Sequence, residues 1–327
     1  MKKSYFLMAA AAALFAACAE TDFVNEATVQ DAPKAIGFET FSNKATRHST
    51  ATTMNTYHEN FGVYGYNDVD NLFMENFKVA YDASNWGYNG VKGGTDGTTE
   101  QEMQYWNKST NYDFYAYAPY NKDVTITAGK FSIPVGDYAA MQNLQETFST
   151  TQNTNAKFTS GVDWMLATAQ EDYKHSQGAT VSLEFSHMLS KLTVAVQTSG
   201  DENVQVTALS VTGDTYKTGS YDGTAWTATN NVVLAGSLGT VTVKDTPYYA
   251  MEYLLIPVTT AAPKLSITYK VNGQTYTQSN LAVTGITSFA AGTHYTLTVS
   301  VGLEPIAFTA TATVWATGAN GSVSIDE

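Results

Sequence analysis

The chain holds one cysteine and one arginine among 327 residues. With a single thiol no disulfide forms within it, so the fold must rest on its core even in an oxidising compartment. Charge is also sparse, at 14% of residues, and unbalanced: 30 acidic against 17 basic side chains, a formal net charge of −13. That balance argues against nucleic acid as a partner, because little here would neutralise a phosphate backbone. It reads as a solubility setting for an exposed surface. Catalytic sets are missing too. His48, His58, His175, His187 and His294 are scattered, with no HExxH and no pair at helical spacing. There is no nucleophile elbow, no phosphate loop and no thiol in the body of the chain. His187 and His294 flank strand patterns and read as hydrogen-bonded structural residues. Asp68-Val-Asp70-Asn71 alternates like a calcium loop but lacks the rest of that motif, and reads as a solvated turn. We therefore expect no enzyme activity, no cofactor and no metal.

Long apolar runs are absent except at the start. Lys2 and Lys3 precede an apolar stretch from Phe6 to Ala17, which is the length of a signal peptide and too short to span a bilayer. It ends in Phe15-Ala16-Ala17-Cys18. Small residues before a cysteine resemble a lipobox, although Leu14 stands one place further back than the usual apolar residue. The expectation is a signal peptide over 1–17 and lipidation at Cys18, with several acyl chains anchoring the chain to the outer membrane. Residues 18–35 then form a polar tether.

Strand signals fill the remainder. Ile36 and Phe38 are spaced by two, and the runs 61–66, 112–117, 124–126 and 131–133 follow, with Pro119 and Pro134 as expected stops. The stretch 84–97 is rich in Asn-Gly, Gly-Gly and Asp-Gly pairs and reads as a surface loop. Residues 138–172 are the one stretch with room for a helix, at 139–147 or 164–169, though neither has strong caps. Runs at 181–185, 192–196, 204–206, 241–243, 265–271 and 295–301 alternate cleanly, and Asn272-Gly273 marks a hairpin. Length predicts two domains, and many short strands between close turns predict β-sandwiches or barrels. The junction falls near 185–191, giving an N-terminal domain over 36–187 and a C-terminal one over 188–327.

Several blocks resemble one family. Ile36-Gly-Phe38, then Thr46-Arg47 and Phe61-Gly-Val63-Tyr64, are similar to the opening of Bacteroides-type fimbrillins, the Mfa-like group. Tyr112 to Pro119, Val181 to Leu192, Leu255-Ile256-Pro257, Ala291 to Leu297, and Ile306 with Trp315 resemble later blocks in the same order. The resemblance implies two tandem transthyretin-like β-sandwich domains, hence an all-β fold, and export as a lipoprotein. It further implies cleavage after an arginine by a surface protease, loss of the first strand, and polymerisation into a type V pilus by donor-strand exchange.

The residues support such a site on their own terms. Arg47 is the only arginine and lies in a polar linker behind a candidate strand, where proteases nick. The cut would fall between Arg47 and His48 and free the segment 36–47, with Ile36 and Phe38 as its inward residues. The open groove would be a template for strand addition by other fimbrial subunits. The bland alternative is one solvated charge in a loop. Val323 and Ile325 repeat the spacing of Ile36 and Phe38 and are candidate donor residues; 306–325 read equally well as ordinary closing strands. A second reading is a non-polymerising surface lipoprotein binding host glycans or proteins, with Trp86, Tyr88 and Trp106 in the long loops as stacking residues. Both readings place the chain at the cell surface, the first within a fimbrium.

Overall fold

A computed structural model describes residues 34–42, 58–68, 71–138, 141–143, 162–174, 180–198, 203–236, 241–243, 246–302 and 306–315. All its strands belong to one compact unit beginning at Ala35. Among the described residues there is no helix.

The strands in chain order begin with β1 (Gly37–Ser42), β2 (Asn60–Asn67) and β3 (Asn71–Tyr81). Three two-residue pieces follow: β4 (Trp86–Gly87), β5 (Lys92–Gly93) and β6 (Thr99–Glu100). Next come β7 (Asn111–Ala118), β8 (Thr125–Thr127), β9 (Lys130–Asp137), β10 (Met141–Asn143), β11 (Met165–Ala167) and β12 (Gln170–Lys174). β13 (Thr180–His187) and β14 (Ser190–Thr198) adjoin across the expected junction, followed by β15 (Val204–Thr212), β16 (Tyr216–Tyr221), β17 (Trp226–Asn231), β18 (Leu234–Gly236) and β19 (Val241–Val243). The last are β20 (Tyr248–Leu255), β21 (Lys264–Val271), β22 (Gln274–Ala282), β23 (Thr293–Val301) and β24 (Ala307–Val314).

Period-two patterning becomes period-two burial. In β13, Val181, Leu183, Phe185 and His187 are buried while their neighbours are not; β21 behaves likewise. Such strands turn one face to a core. An eight-stranded sheet runs β1-β13-β11-β7-β2-β3-β4, with β12 on β7. Its inner face supplies Phe61, Phe114 and Phe185, and the connection after β3 covers them with Tyr88 and Trp106. In the second half, the sheet β10-β20-β14-β23-β24 faces the sheet β18-β15-β21-β22, which also carries β19 on β15. Leu192, Met251 and Leu297 from the first meet Val206, Leu209 and Ile267 from the second in one core. That is a sandwich.

The halves interleave. A four-stranded sheet, β17-β16-β9-β8, takes two strands from each, and β10 pairs with β20. A third core of Tyr117, Phe131, Trp164, Leu254, Ile256 and Trp315 fills the space they enclose.

Three local expectations meet the structure. Asn272 and Gly273 take φ of 49° and 85° between β21 and β22, the left-handed pair that a tight hairpin needs. Pro134 does not end its strand: β9 continues to Asp137. The register with β16 shifts between Gly219 and Tyr221, opposite Pro134 and Val135, so the missing N–H falls at an irregularity. The two helix candidates are also corrected where they are described. Met141–Asn143 pairs with β20 and Met165–Ala167 lies between β7 and β13, because waiting strand edges outweigh weak caps.

Candidate functional site

The first strand begins as Ile36-Gly-Phe38-Glu-Thr40. Ile36, Phe38 and Thr40 are buried, and Glu39 is exposed. β1 lies at one end of the eight-stranded sheet, parallel to β13, with Phe38 opposite Val181, Thr40 opposite Leu183 and Ser42 opposite Phe185. Its inward residues therefore continue the buried face of β13 by one strand. The Phe38 ring meets Phe114 at 5.7 Å, Tyr88 at 5.9 Å and Phe61 at 6.3 Å between centroids, all edge-on.

The start of the strand is bolted at a single point. Ile36 N–H donates to the Gln104 carbonyl (2.9 Å). The Tyr88 hydroxyl donates to the Ile36 carbonyl (3.0 Å) and accepts from Gln104 N–H (3.2 Å). Burial pushes the Tyr88 phenol above its ordinary pKa, so it stays a neutral donor. The fit is imperfect: the buried Thr40 hydroxyl has no hydrogen-bond partner among the described residues.

At the far end of β13 lies a buried polar cluster. His187 Nδ1 is 3.0 Å from Asp163 Oδ1, and its ring stacks flat on Trp315 at 3.6 Å. Lys191 Nζ is 2.9 Å from Glu252 Oε1, with both side chains nearly inaccessible, and it also faces the Trp315 ring. Thr193 has one hydroxyl proton, which it gives to Glu252 Oε2 (3.0 Å). The 2.8 Å contact between Thr193 Oγ1 and His294 Nε2 is then a bond donated by a neutral imidazole. Burial first, and the Lys191 charge second, push His294 down to about 3. Burial raises Glu252 despite Lys191. Both histidines are thus tied into the structure, with Trp315 as the keystone at the end of β24. Patterning singled out each histidine, but nothing in the sequence linked either to Trp315 or Lys191.

Other expected site residues fare differently. Tyr88 and Trp106 are buried, at 3% and 6% exposure, which corrects their reading as glycan-stacking residues: their faces are spent on Phe38, Phe77, Tyr112 and Tyr173. Trp86 keeps partial exposure, packed on Phe61 and Tyr81. Cys18, Arg47, His48, Val323 and Ile325 lie outside the described residues. Ile306, Phe308, Ala310 and Ala312 pack on the second-half core as β24 pairs with β23 over eight residues.

No curated protein matches the sequence significantly. Among solved structures, the chain is similar to a candidate cell adhesion protein of Bacteroides uniformis, at 18% identity and TM-score 0.47, covering 86% of this chain and 98% of that one. Another from Bacteroides ovatus gives 16% identity and TM-score 0.48, over 85% and 96%. The fimbrial anchor protein Mfa2 of Porphyromonas gingivalis gives 14% identity and TM-score 0.33, over 88% and 100%. A family model described as fimbrillin-like matches residues 46–315, nearly the whole length behind the first strand, and the chain belongs to the fimbrillin-like family.

Proposed function

We propose that the chain is a subunit of a cell-surface fimbrium, exported as a lipoprotein through Cys18, matured by cleavage between Arg47 and His48, and assembled with other fimbrial subunits by strand exchange. Family membership supports the coarser part, a fimbrial or adhesive role at the cell surface. The finer part rests on one observation. β1 is held by a single strand neighbour, Ile36 and Phe38 at its start are sunk in the core, and its last residue precedes the sole arginine by only five positions.

Removing β1 would leave β13 as an open edge above a pocket shaped for two large apolar side chains. An extended segment of another subunit would regain the main-chain bonds, and alternate side chains would refill the pocket, each contributing ~1.5–3 kcal/mol when fully buried. The two sandwich domains we propose, 36–187 and 188–327, are supported by separate cores drawn from residues 36–185 and 192–301. The pairing of β24 with its own sheet supports a subunit that keeps residues 307–315 for itself, so that any donor would come from 316–327, where Val323 and Ile325 lie.

The test is the N-terminus of the protein recovered from the cell surface and its state in mild detergent. Mature protein should begin at His48 and form detergent-stable ladders. Arg47→Lys should retain residues 36–47 and give monomers. Ladders of undiminished strength from that variant would defeat the proposal.

A further inference from the structure

The two halves enclose an open cleft of about 1060 Å³, bordered by the end of β13 just beyond its pairing with β1. One wall is the tip of the β16–β17 hairpin. Asp222 Oδ1 accepts from Thr224 N–H and Ala225 N–H, and the Trp226 indole N–H donates to the Met188 carbonyl at 3.0 Å. The base of the hairpin is fixed where Ile256 N–H donates to the Tyr216 carbonyl. The opposite wall is equally set: Val258 and Phe289 exchange backbone bonds of 2.8 and 3.0 Å, and Ala261 N–H donates to the Thr287 carbonyl. The cleft therefore exists before any ligand arrives, and its size suits one.

Its chemistry is selective. Tyr216, Tyr221 and Trp226 line it and are half-buried, with Tyr221 against Trp226 at 5.5 Å. Exposed hydroxyls of Ser186, Thr259 and Thr260 share the lining. Among the described residues no lysine lines it; Lys130 donates to the rim hydroxyl of Thr224 at 3.5 Å, and the lining His187 is tied to Asp163 and stacked on Trp315. The one lining carboxylate, Asp214, is engaged by Ala262 N–H. With no described lysine or arginine in the lining, on a chain of net charge −13, acidic ligands are disfavoured. An extended peptide would seek open backbone edges: 258 and 289 pair with each other and β11 is flanked on both sides, which leaves β17, the end strand of its sheet, as the one described edge at the cleft, and its Trp226 indole is already held at the Met188 carbonyl. Rigid aromatic faces beside neutral hydroxyls suit a sugar, whose C–H face stacks while its hydroxyls exchange hydrogen bonds.

We propose that this cleft binds a neutral oligosaccharide, with Trp226 and Tyr221 as the stacking platform. The inference does not depend on strand exchange: no β1 residue is among the described lining residues, and the site needs no segment of another subunit. The full chain would be titrated calorimetrically with cellotetraose, maltotetraose and lacto-N-tetraose, and with 3′-sialyllactose and a heparin hexasaccharide as acidic controls. We expect at least one neutral sugar to bind and both acidic ones to fail. Trp226→Ala should weaken that binding about tenfold or more. Thr260→Arg, at an exposed position that leaves the core intact, should block it by bulk even if the tryptophan variant folds poorly. No binding by any neutral sugar, equal binding by the acidic ones, displacement by an extended peptide instead, or indifference to Thr260→Arg would each overturn the proposal.

Discussion

Phe38→Ala should release the first strand without unfolding the rest. Ile36 and Phe38 are 1% and 6% exposed, so together they contribute roughly 3–6 kcal/mol of apolar burial. The unsatisfied Thr40 hydroxyl offsets about 1–3 kcal/mol of this, and ordering the strand offsets more. β1 is thus docked by a few kcal/mol at most. A core Phe→Ala change costs about 3–5 kcal/mol, which is comparable to the whole docking energy. In a central strand such a loss would lower global stability in full. Here the strand can leave instead, because it has one neighbour and a linker behind it. Amide exchange over 37–42 should accelerate by about a hundredfold or more, and cutting by an Arg-specific protease should quicken, while β14, β20 and β23 keep their protection. The reasoning fails if exchange over 37–42 changes less than threefold. It fails equally if protection drops uniformly across the molecule, since β1 would then be part of the cooperative core.

Two further predictions concern the buried polar cluster. His294 has its pKa depressed to about 3 from an ordinary ~6.5. Its contribution is therefore complete above pH 6.5 and lost as pH falls through the window down to 3, by up to about 1.4 kcal/mol per pH unit. Urea midpoints of the wild type and His294→Gln should converge as the medium is acidified through that window, and parallel curves would count against the neutral, buried imidazole. Lys191→Leu leaves Glu252 buried without its cation and should cost about 3–5 kcal/mol, less whatever Glu252 recovers by taking up a proton, whereas Lys191→Leu with Glu252→Leu should come back close to wild type. Chemical denaturation of the single and double variants would show whether charge pairing or mere volume sustains the site.

The local order was legible because strand physics is local. Alternation in β13, β21 and β23 reports which side of a pleat faces water, and Asn272-Gly273 declares its turn through backbone geometry alone. The lone cysteine, the lone arginine and the spacing of Ile36 and Phe38 were likewise plain in the residue order, and with them the expectations for anchor, cut site and first strand. What tertiary structure decided was partnership. Tyr88 sits in the Gly-rich stretch 84–97 that reads as an exposed loop, and Trp106 lies a few residues beyond it, yet this connection folds over an open sheet face and both become core. His187 and Trp315 are far apart in the chain and meet only because β13 and β24 end at the same place. The cleft likewise has no signature in any one segment, since its walls come from both halves. Patterning along the chain specifies a strand and its buried face; which strand lies beside it depends on long-range packing, which no short window of residues contains.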